Sequence, residues 1–421
     1  MDRRESMGDK TKIAWTDATW NPVRGCSRVS EGCRFCYAEL VAARFSGPGQ
    51  PYEGLANRSP ARWTGKVVLV EEHLLDPLRW QKPRRIFVAS MSDPFHHGFS
   101  DEQIDSIFAV MALADHHTYQ LLTKRPERMR AYLSDPVRPY AVLRAIDRFE
   151  VDQAMVGVTE EWRSVPSAPA YEVSNYGKVR RNGRELALVD HGGGYKQVAL
   201  SVNGDPKTTL VHRIVLEAFD RVSLEGEEGA HRNSLRTDNR IANLRWTSKD
   251  DNMADAARQG TAGVWMKGRA TLTPAEVEEI RAARKRGDLL STVAARFGIA
   301  KQQVSAIARG KIFKPAPLTW LFPHLWCGVS VEDQKTAYER IPILLKTPAA
   351  VRFVSYEPAL GPVDFGDALG RISESHEPNC HAPGIDWVIV GGESGPGARP
   401  FDASWARESI RQCREAGCAV F

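Results

Sequence analysis

The sequence predicts an α/β fold of the parallel, barrel-building kind, split by an α+β insert. Three observations carry this. Apolar strand-like runs alternate with amphipathic helical stretches in "RRIFVASMSDPFHHGFSDEQIDSIFAVMAL", in "HTYQLLTKRPERMRAYL" and, far downstream, in "HLWCGVSVEDQKTAYERIPILL". Such alternation implies parallel βα units buried on both faces. Polar and glycine-rich residues crowd just past each strand, where an α/β barrel builds its site. Finally, the rhythm stops from about Glu160 to Pro315 and then resumes.

In chain order, a strand is expected at Ile86 to Ala89, then a polar loop and a helix capped near Ser100. Thr118 to Leu122 repeats the plan. "AVRFVSYEPALGP" and "DWVIVGGESGPG" supply later strands, and "GCAVF" reads as the start of a last one. Within the insert, "YEVSNYGKVRRNGRELAL" and "YKQVALSVNGDPKTTLVHRIVLEAF" predict short antiparallel strands with turns at "NYG", "RNG" and "NGD". A helical stretch follows from about Thr273 to Gly310. "LWCGVSVEDQ" then echoes "AMVGVTEEW" at 154–162, so the insert is expected in or beside one strand–loop whose sequence is nearly repeated on its far side. No Cys or Ser at the start pairs with His-Asn at the end, as an intein would require, so the insert is expected to stay in the chain.

The 421 residues are 42% hydrophobic and 26% charged, ordinary globular values consistent with two or three domains. The net charge of +5 is mild, but residues 159–315 carry about 26 basic and 19 acidic side chains, roughly +7, with the excess after Met266. The polar start "MDRRESMGDK" has no apolar signal-peptide core, and no apolar run approaches the ~20 residues of a membrane span. A cytoplasmic protein without membrane partners is the expectation. Seven scattered cysteines do not make a disulfide framework.

Three of them, Cys26, Cys33 and Cys36, fall within eleven residues of "RGCSRVSEGCRFCYAE". Clustered thiolates suit an iron–sulfur cluster or zinc, and a purely structural loop is the third alternative. Three thiolates on a four-iron cluster leave one iron open. Together with "SMSDPF", "LLTKRPERM" and "GVSVEDQ", the loop resembles that of radical S-adenosylmethionine enzymes, those like spore photoproduct lyase above all. Over roughly 10–158 and 317–421 the chain is most similar to a phage-encoded three-cysteine family of unassigned function. The spacing differs from the usual CxxxCxxC, being Cx6CxxC, so the extra residues must loop out.

The resemblance implies a partial (βα) barrel holding a [4Fe-4S] cluster and S-adenosylmethionine, whose reductive cleavage yields a 5′-deoxyadenosyl radical acting on an unknown substrate. It implies cofactor contacts at Ser90, Ser92, Asp93, Lys124, Ser330, Glu357 and the Gly391-Gly392-Glu393 stretch. The plainer reading of Asp93 and Glu393 is capping. His96 and His97 are expected as a solvated loop pair, Cys327 as core, Cys413 and Cys418 as packing around the last helix, and Cys380 in an exposed insertion. Members of this family continue past a segment like "GCAVF", which implies a truncated C-terminal part.

In the insert, "EEWRSVPSAPAYEVSNYGKVRR" resembles the NUMOD-type module that precedes HNH domains in homing-type nucleases. "LVHRIVLEAF" and "GAHRNSLRTDNRIANLRWTSKDDNM" resemble the ββα-metal HNH motif itself. The resemblance implies double-stranded DNA as substrate and a divalent metal, Mg²⁺ or Mn²⁺. His231 would be the general base and would also contact the metal. Asn243 would hold the loop and orient that histidine, and Asn252 would contact the metal. Asn239 and Trp246 would be structural, and His212 packed or phosphate-contacting. Relatives often carry Asp, Asn or His just before the base; here Ala230 stands there, and Asn233-Ser234 replaces the common Asp-Gly turn.

After it, "TPAEVEEIRAARKRGDLLSTVAARFGIAKQQVSAIARGKIF" predicts a helix-turn-helix: Pro274 to Lys285, Leu290 to Phe297, a turn at Gly298, and a recognition helix Lys301 to Ala308. Lys301, Gln302, Gln303 and Ser305 would face the DNA groove, with Arg309 and Lys311 near phosphates. A plain three-helix cap with a basic face is the alternative. The expected division is therefore 1–158 and 316–421 for the two parts of the barrel, 159–266 for the NUMOD-like module plus nuclease, and 267–315 for the helix-turn-helix. The expected function is an HNH endonuclease within a three-cysteine protein; the alternative is a radical enzyme with a degenerate, inactive nuclease insert.

Overall fold

The computed structural model describes residues 11–135, 138–202, 204–258, 274–309, 323–369, 384–394 and 397–421. Cys380 and Lys311 lie outside these. The chain divides into two compact units, 1–138 with 319–421, and 139–318.

The first unit is built on a seven-stranded sheet: Ala18–Trp20, Arg85–Val88, Thr118–Thr123, Leu325–Ser330, Val351–Tyr356, Trp387–Val390 and Ala419–Val420, adjacent in that order. Every pairing is parallel. Strands that follow one another without a reversal form an arc of a (βα) array rather than a doubly wound sheet. The arc is open: among the described residues its first and last strands are edges.

Trp20, Ile86, Leu121, Phe353 and Tyr356 are fully buried in it, as a sheet covered on both faces requires. The second strand ends one residue earlier than expected because Ala89 adopts a positive φ of 58° and turns the chain out of the sheet. The Asp101–Leu113 helix starts at a capping box made by Ser100 and Gln103. The nearly repeated sequence has one occupant in the sheet: Leu325–Ser330 pairs with the third strand, Val329 opposite Thr123. The earlier copy, 155–161, forms no strand, and its Val156 is 72% exposed.

In the second unit, strands Trp162–Val165, Ala168–Ser174, Val179–Arg181 and Arg184–Glu185 form an antiparallel sheet. The last turn has positive φ at both Asn182 (50°) and Gly183 (74°), as a twisted two-residue hairpin demands. Val189–Asp190, Lys196–Val202 and Asp205–Leu210 form a second antiparallel sheet. Val173, Val179, Val198, Leu200, Ile214 and Trp246 share one buried cluster. A two-stranded ribbon, Glu227–His231 against Leu244–Ser248, leads into the helix Lys249–Arg258.

The helices Pro274–Lys285, Leu290–Phe297 and Lys301–Ala308 fall where the apolar spacing places them. They share a core of Val277, Ile280, Val293, Val304 and Ile307. Gly298 closes the middle helix at φ 63°, a conformation that favours glycine. No helix among the described residues is long and apolar enough to cross a membrane.

Candidate functional site

Two groups of residues carry chemistry, one in each unit. In the first unit, loops at the C-terminal ends of the strands enclose a cavity of about 590 Å³. Cys26, Cys33 and Cys36 line it together with Ser90, Ser92, Asp93, Lys124, Ser330, Glu357 and Glu393. The cysteine loop stays close because two glycines permit it. Gly25 has φ 88°, and a Cβ there would sit 2.1 Å from the Lys66 carbonyl oxygen; at Gly32 it would sit 2.4 Å from the Glu332 side chain.

Several residues expected to contact a cofactor are committed elsewhere. The Asp93 carboxylate accepts from Thr123 Oγ1 (2.8 Å), Phe95 N (2.9 Å), Lys124 N (3.2 Å) and Arg125 Nη1 (2.7 Å). It ties the loop of the second strand to that of the third, so its acceptor capacity is spent. Lys124 donates to Glu332, which also takes Ser30 Oγ at 2.8 Å and Arg340 at 3.1 Å. Burial opposes ionisation, yet Lys124 and Arg340 hold the Glu332 carboxyl below its ordinary value. Glu393 is gripped by Arg399 at 2.6 and 2.9 Å, which keeps its carboxyl low. Ser92 Oγ donates to the Gly25 carbonyl oxygen.

Glu357 differs: burial pushes its carboxyl up, with Ser355 Oγ donating at 3.3 Å. Burial pushes the Cys26 thiol up to about 12 and raises Cys36 as well. His96 corrects its expectation. It is buried, its Nε2 lies 2.8 Å from Ser27 Oγ, and its Nδ1 accepts from Gly98 N at 3.1 Å. Burial, with Arg125 nearby, pushes it down to about 4. Only His97 of the pair is exposed. Cys327 and Cys413 are buried as expected. Among the described residues no group of three or more His, Cys, Asp or Glu side chains is placed to hold a metal ion.

In the second unit, His231 ends its strand and is buried beside His212 and Tyr195, with ring centroids at 5.0 and 5.8 Å. Burial lowers its pKa against the pull of Asn239 and Asp238, which favours the neutral imidazole, the form able to accept a proton. The orienting contact corrects the sequence expectation. Asn239, expected to be structural, places Oδ1 3.2 Å from His231 Nε2. Asn243 acts on the loop alone: its Oδ1 accepts from Asn233 N (2.9 Å) and its Nδ2 donates to the Asp238 carbonyl (2.7 Å). Both asparagines sit in the same motif, and spacing does not say which turns toward the ring.

Asn252 lies in the first turn of its helix, which Ser248 caps through Asp251 N at 3.1 Å. It donates to Glu228 Oε2 at 3.0 Å. Trp246 is structural as expected, its Nε1 donating to the Arg221 carbonyl at 2.8 Å. His212 is packed, with burial pushing it down to about 3. On the Lys301–Ala308 helix, Lys301, Gln302 and Arg309 are exposed and Ser305 is half-buried. Gln303 turns back, its Oε1 accepting from Ala300 N at 2.6 Å, so it secures the helix start.

Comparison with known proteins cuts across this division, since one family profile covers the first unit and also both ends of the second. The profile of a family described as "Protein of unknown function (DUF5131)" matches residues 10–168 and 247–421. The chain belongs to the DUF5131 family. A NUMOD4 motif profile matches residues 160–201 of this DUF5131 protein. DNA endonuclease I-HmuI of Bacillus phage SP01 is 31% identical over 107 residues, 25% of this chain and 62% of the relative. An uncharacterized HNH endonuclease of Acanthamoeba polyphaga mimivirus is 29% identical over 108 residues, 25% of this chain and 33% of the relative. The DUF5131 chain thus spans less than two thirds of the length of either. A solved structure described as DNA binding and cleavage by the HNH homing endonuclease I-HmuI overlaps 36% of this chain and 90% of that one, at a TM-score of 0.24 and 22% identity.

Proposed function

We propose that the inserted unit is an HNH-type, homing-like endonuclease acting on double-stranded DNA with a divalent cation, Mg²⁺ or Mn²⁺. The observation that carries this is His231: an imidazole held by Asn239 at the end of a strand whose antiparallel partner leads into a helix. His231 would accept the proton of a water attacking the scissile phosphate, while Asn239 holds the ring and Asn243 holds the loop around it. The donor chemistry near Asn252, an amide beside a carboxylate, suits a hard cation. When bound, the cation would supply stabilisation of charge building on the phosphate.

The three-helix segment would add grip through Lys301, Gln302, Ser305 and Arg309, a basic surface suited to the duplex. The similarity to DNA endonuclease I-HmuI supports the same reading. The test is nicking of supercoiled DNA by the full chain. Chelator-sensitive nicking lost in His231→Ala supports the assignment; nicking that persists in that variant removes His231 as the base.

A second reading concerns the cavity. Three cysteines line the cavity at the C-terminal ends of parallel strands; their thiols are not gathered into a metal site in this structure, so an iron–sulfur cluster with three protein ligands, and S-adenosylmethionine beside it, would require the cysteine loop to close. Such a pair would supply radical chemistry on an unknown substrate. Cys26, Cys33 and Cys36 would hold the cluster, Glu357 and Ser355 would offer polar contacts, and the Asp93 and Glu332 networks would keep the loops in place. Iron and sulfide content of anaerobically reconstituted protein tests it. About four irons per chain lost in Cys33→Ala would support it; a protein that takes up no iron would rule it out.

A further inference from the structure

Resting on the endonuclease reading above, we propose that Glu228 is the carboxylate ligand of the divalent cation, acting with Asn252. The argument starts from the pleat. In Glu227–His231 successive side chains alternate faces, so Glu228 and Ala230 share one face and His231 takes the other. Opposite them on the partner strand stand Thr247 and Arg245. The helix Lys249–Arg258 covers this face, since Asn252 reaches Glu228 and Asp255 pairs with Arg245. The residue just before the base is Ala230, whose methyl group donates nothing to a cation. A carboxylate ligand on this face would therefore come from another position.

The neighbouring carboxylates narrow the choice. Glu227 is held by Arg221 through two contacts of 2.7 and 2.8 Å. Asp238 is held by Arg240 at 2.8 Å and by Asn233 at 2.8 Å. Asp255 is paired with Arg245. Asp251 accepts from Ser248 at the helix start, 2.8 Å away. A carboxylate already neutralised by an arginine is a poor cation ligand, because the arginine must be displaced first. Glu228 is exposed, and its hydrogen bond goes to the neutral Asn252 amide. Turning that amide over brings its oxygen where its nitrogen now sits, so two oxygen donors converge on one solvent-open point. Glu228 is also one methylene longer than an aspartate, which offsets part of the retreat by two residues along the strand.

The experiment is Mn²⁺ binding to the full chain, followed by the electron paramagnetic resonance of free Mn²⁺, alongside supercoiled DNA nicking. Glu228→Gln keeps shape and hydrogen bonding but removes the charge. It should weaken one Mn²⁺ site by about tenfold or more, the size expected for loss of a metal-site contact, while the melting temperature without metal stays unchanged. Adding Ala230→Asp to Glu228→Gln places a carboxylate on the same face one pleat nearer the base, opposite Arg245, and should restore part of the affinity and of the nicking. If wild type binds Mn²⁺ and nicks DNA while Glu228→Gln does both equally well, the assignment of Glu228 is overturned and the endonuclease reading stands. A wild-type chain that neither binds Mn²⁺ nor nicks DNA overturns both.

Discussion

At His231 burial decides the chemistry. An exposed imidazole would be part-protonated near neutrality, whereas desolvation holds this one below the ordinary value of about 6.5. A base must be deprotonated to act, so the acid limb of the nicking rate should fall below pH ~6.5 rather than at it. Asn239→Ala frees the ring and should lower the rate by about 10- to 100-fold, with a smaller effect on DNA affinity; single-turnover kinetics separate the two. His96 supplies a stability test. Its folded pKa of about 4 lies below the unfolded value, so between these the unfolded chain binds more protons. Stability contributed by neutral His96 should be complete above about pH 6.5 and be lost as pH falls toward 4, and urea unfolding across that range would show it. Asp93 is buried among four donors, including Arg125. Asp93→Ala leaves that guanidinium with Ser27 but without its counter-charge and should cost about 3–5 kcal/mol, readable as a lowered urea midpoint.

At the scale of elements, the cysteine loop depends on close backbone approach. Gly25→Ala combines a positive φ with a clash against the Lys66 carbonyl, so the loop must shift. The expected result is loss of metal uptake at the cavity together with a lower melting temperature. The helix ends were the most legible features of the chain: Ser100 before Gln103, and Gly298 between two amphipathic stretches, mark their positions by local chemistry alone. Side-chain destinations were less so. Gln303 was expected to face DNA, but it lies three residues after Ala300 and satisfies that amide instead. Lys301→Ala should therefore weaken DNA binding and reduce its salt slope by about one, whereas Gln303→Ala should act on helix stability.

On the scale of the whole chain, the two candidate sites share no residue and fall in separate compact units. Their chemistry should separate accordingly: Cys33→Ala should leave nicking intact, and His231→Ala should leave iron uptake intact, both measured on the full-length protein. The interruption of the βα rhythm and the alternation of apolar runs determined, by themselves, that two architectures share this chain, because periodicity is a local property that each segment carries wherever it folds. The near-repeat predicted an interruption from about 159 to 315, whereas the second compact unit runs from 139 to 318 and takes in residues 139–154, before the repeat. Tertiary structure decided which copy becomes the fourth strand: Leu325–Ser330 is hydrogen-bonded on both sides, while 155–161 is left outside with an exposed valine. It also decided that Asp93 and Glu393 are tied to arginines, that Asn239 rather than Asn243 meets the base, and that Asn252 meets Glu228. Those outcomes depend on which partners distant segments bring within about 3 Å, and no local spacing encodes that.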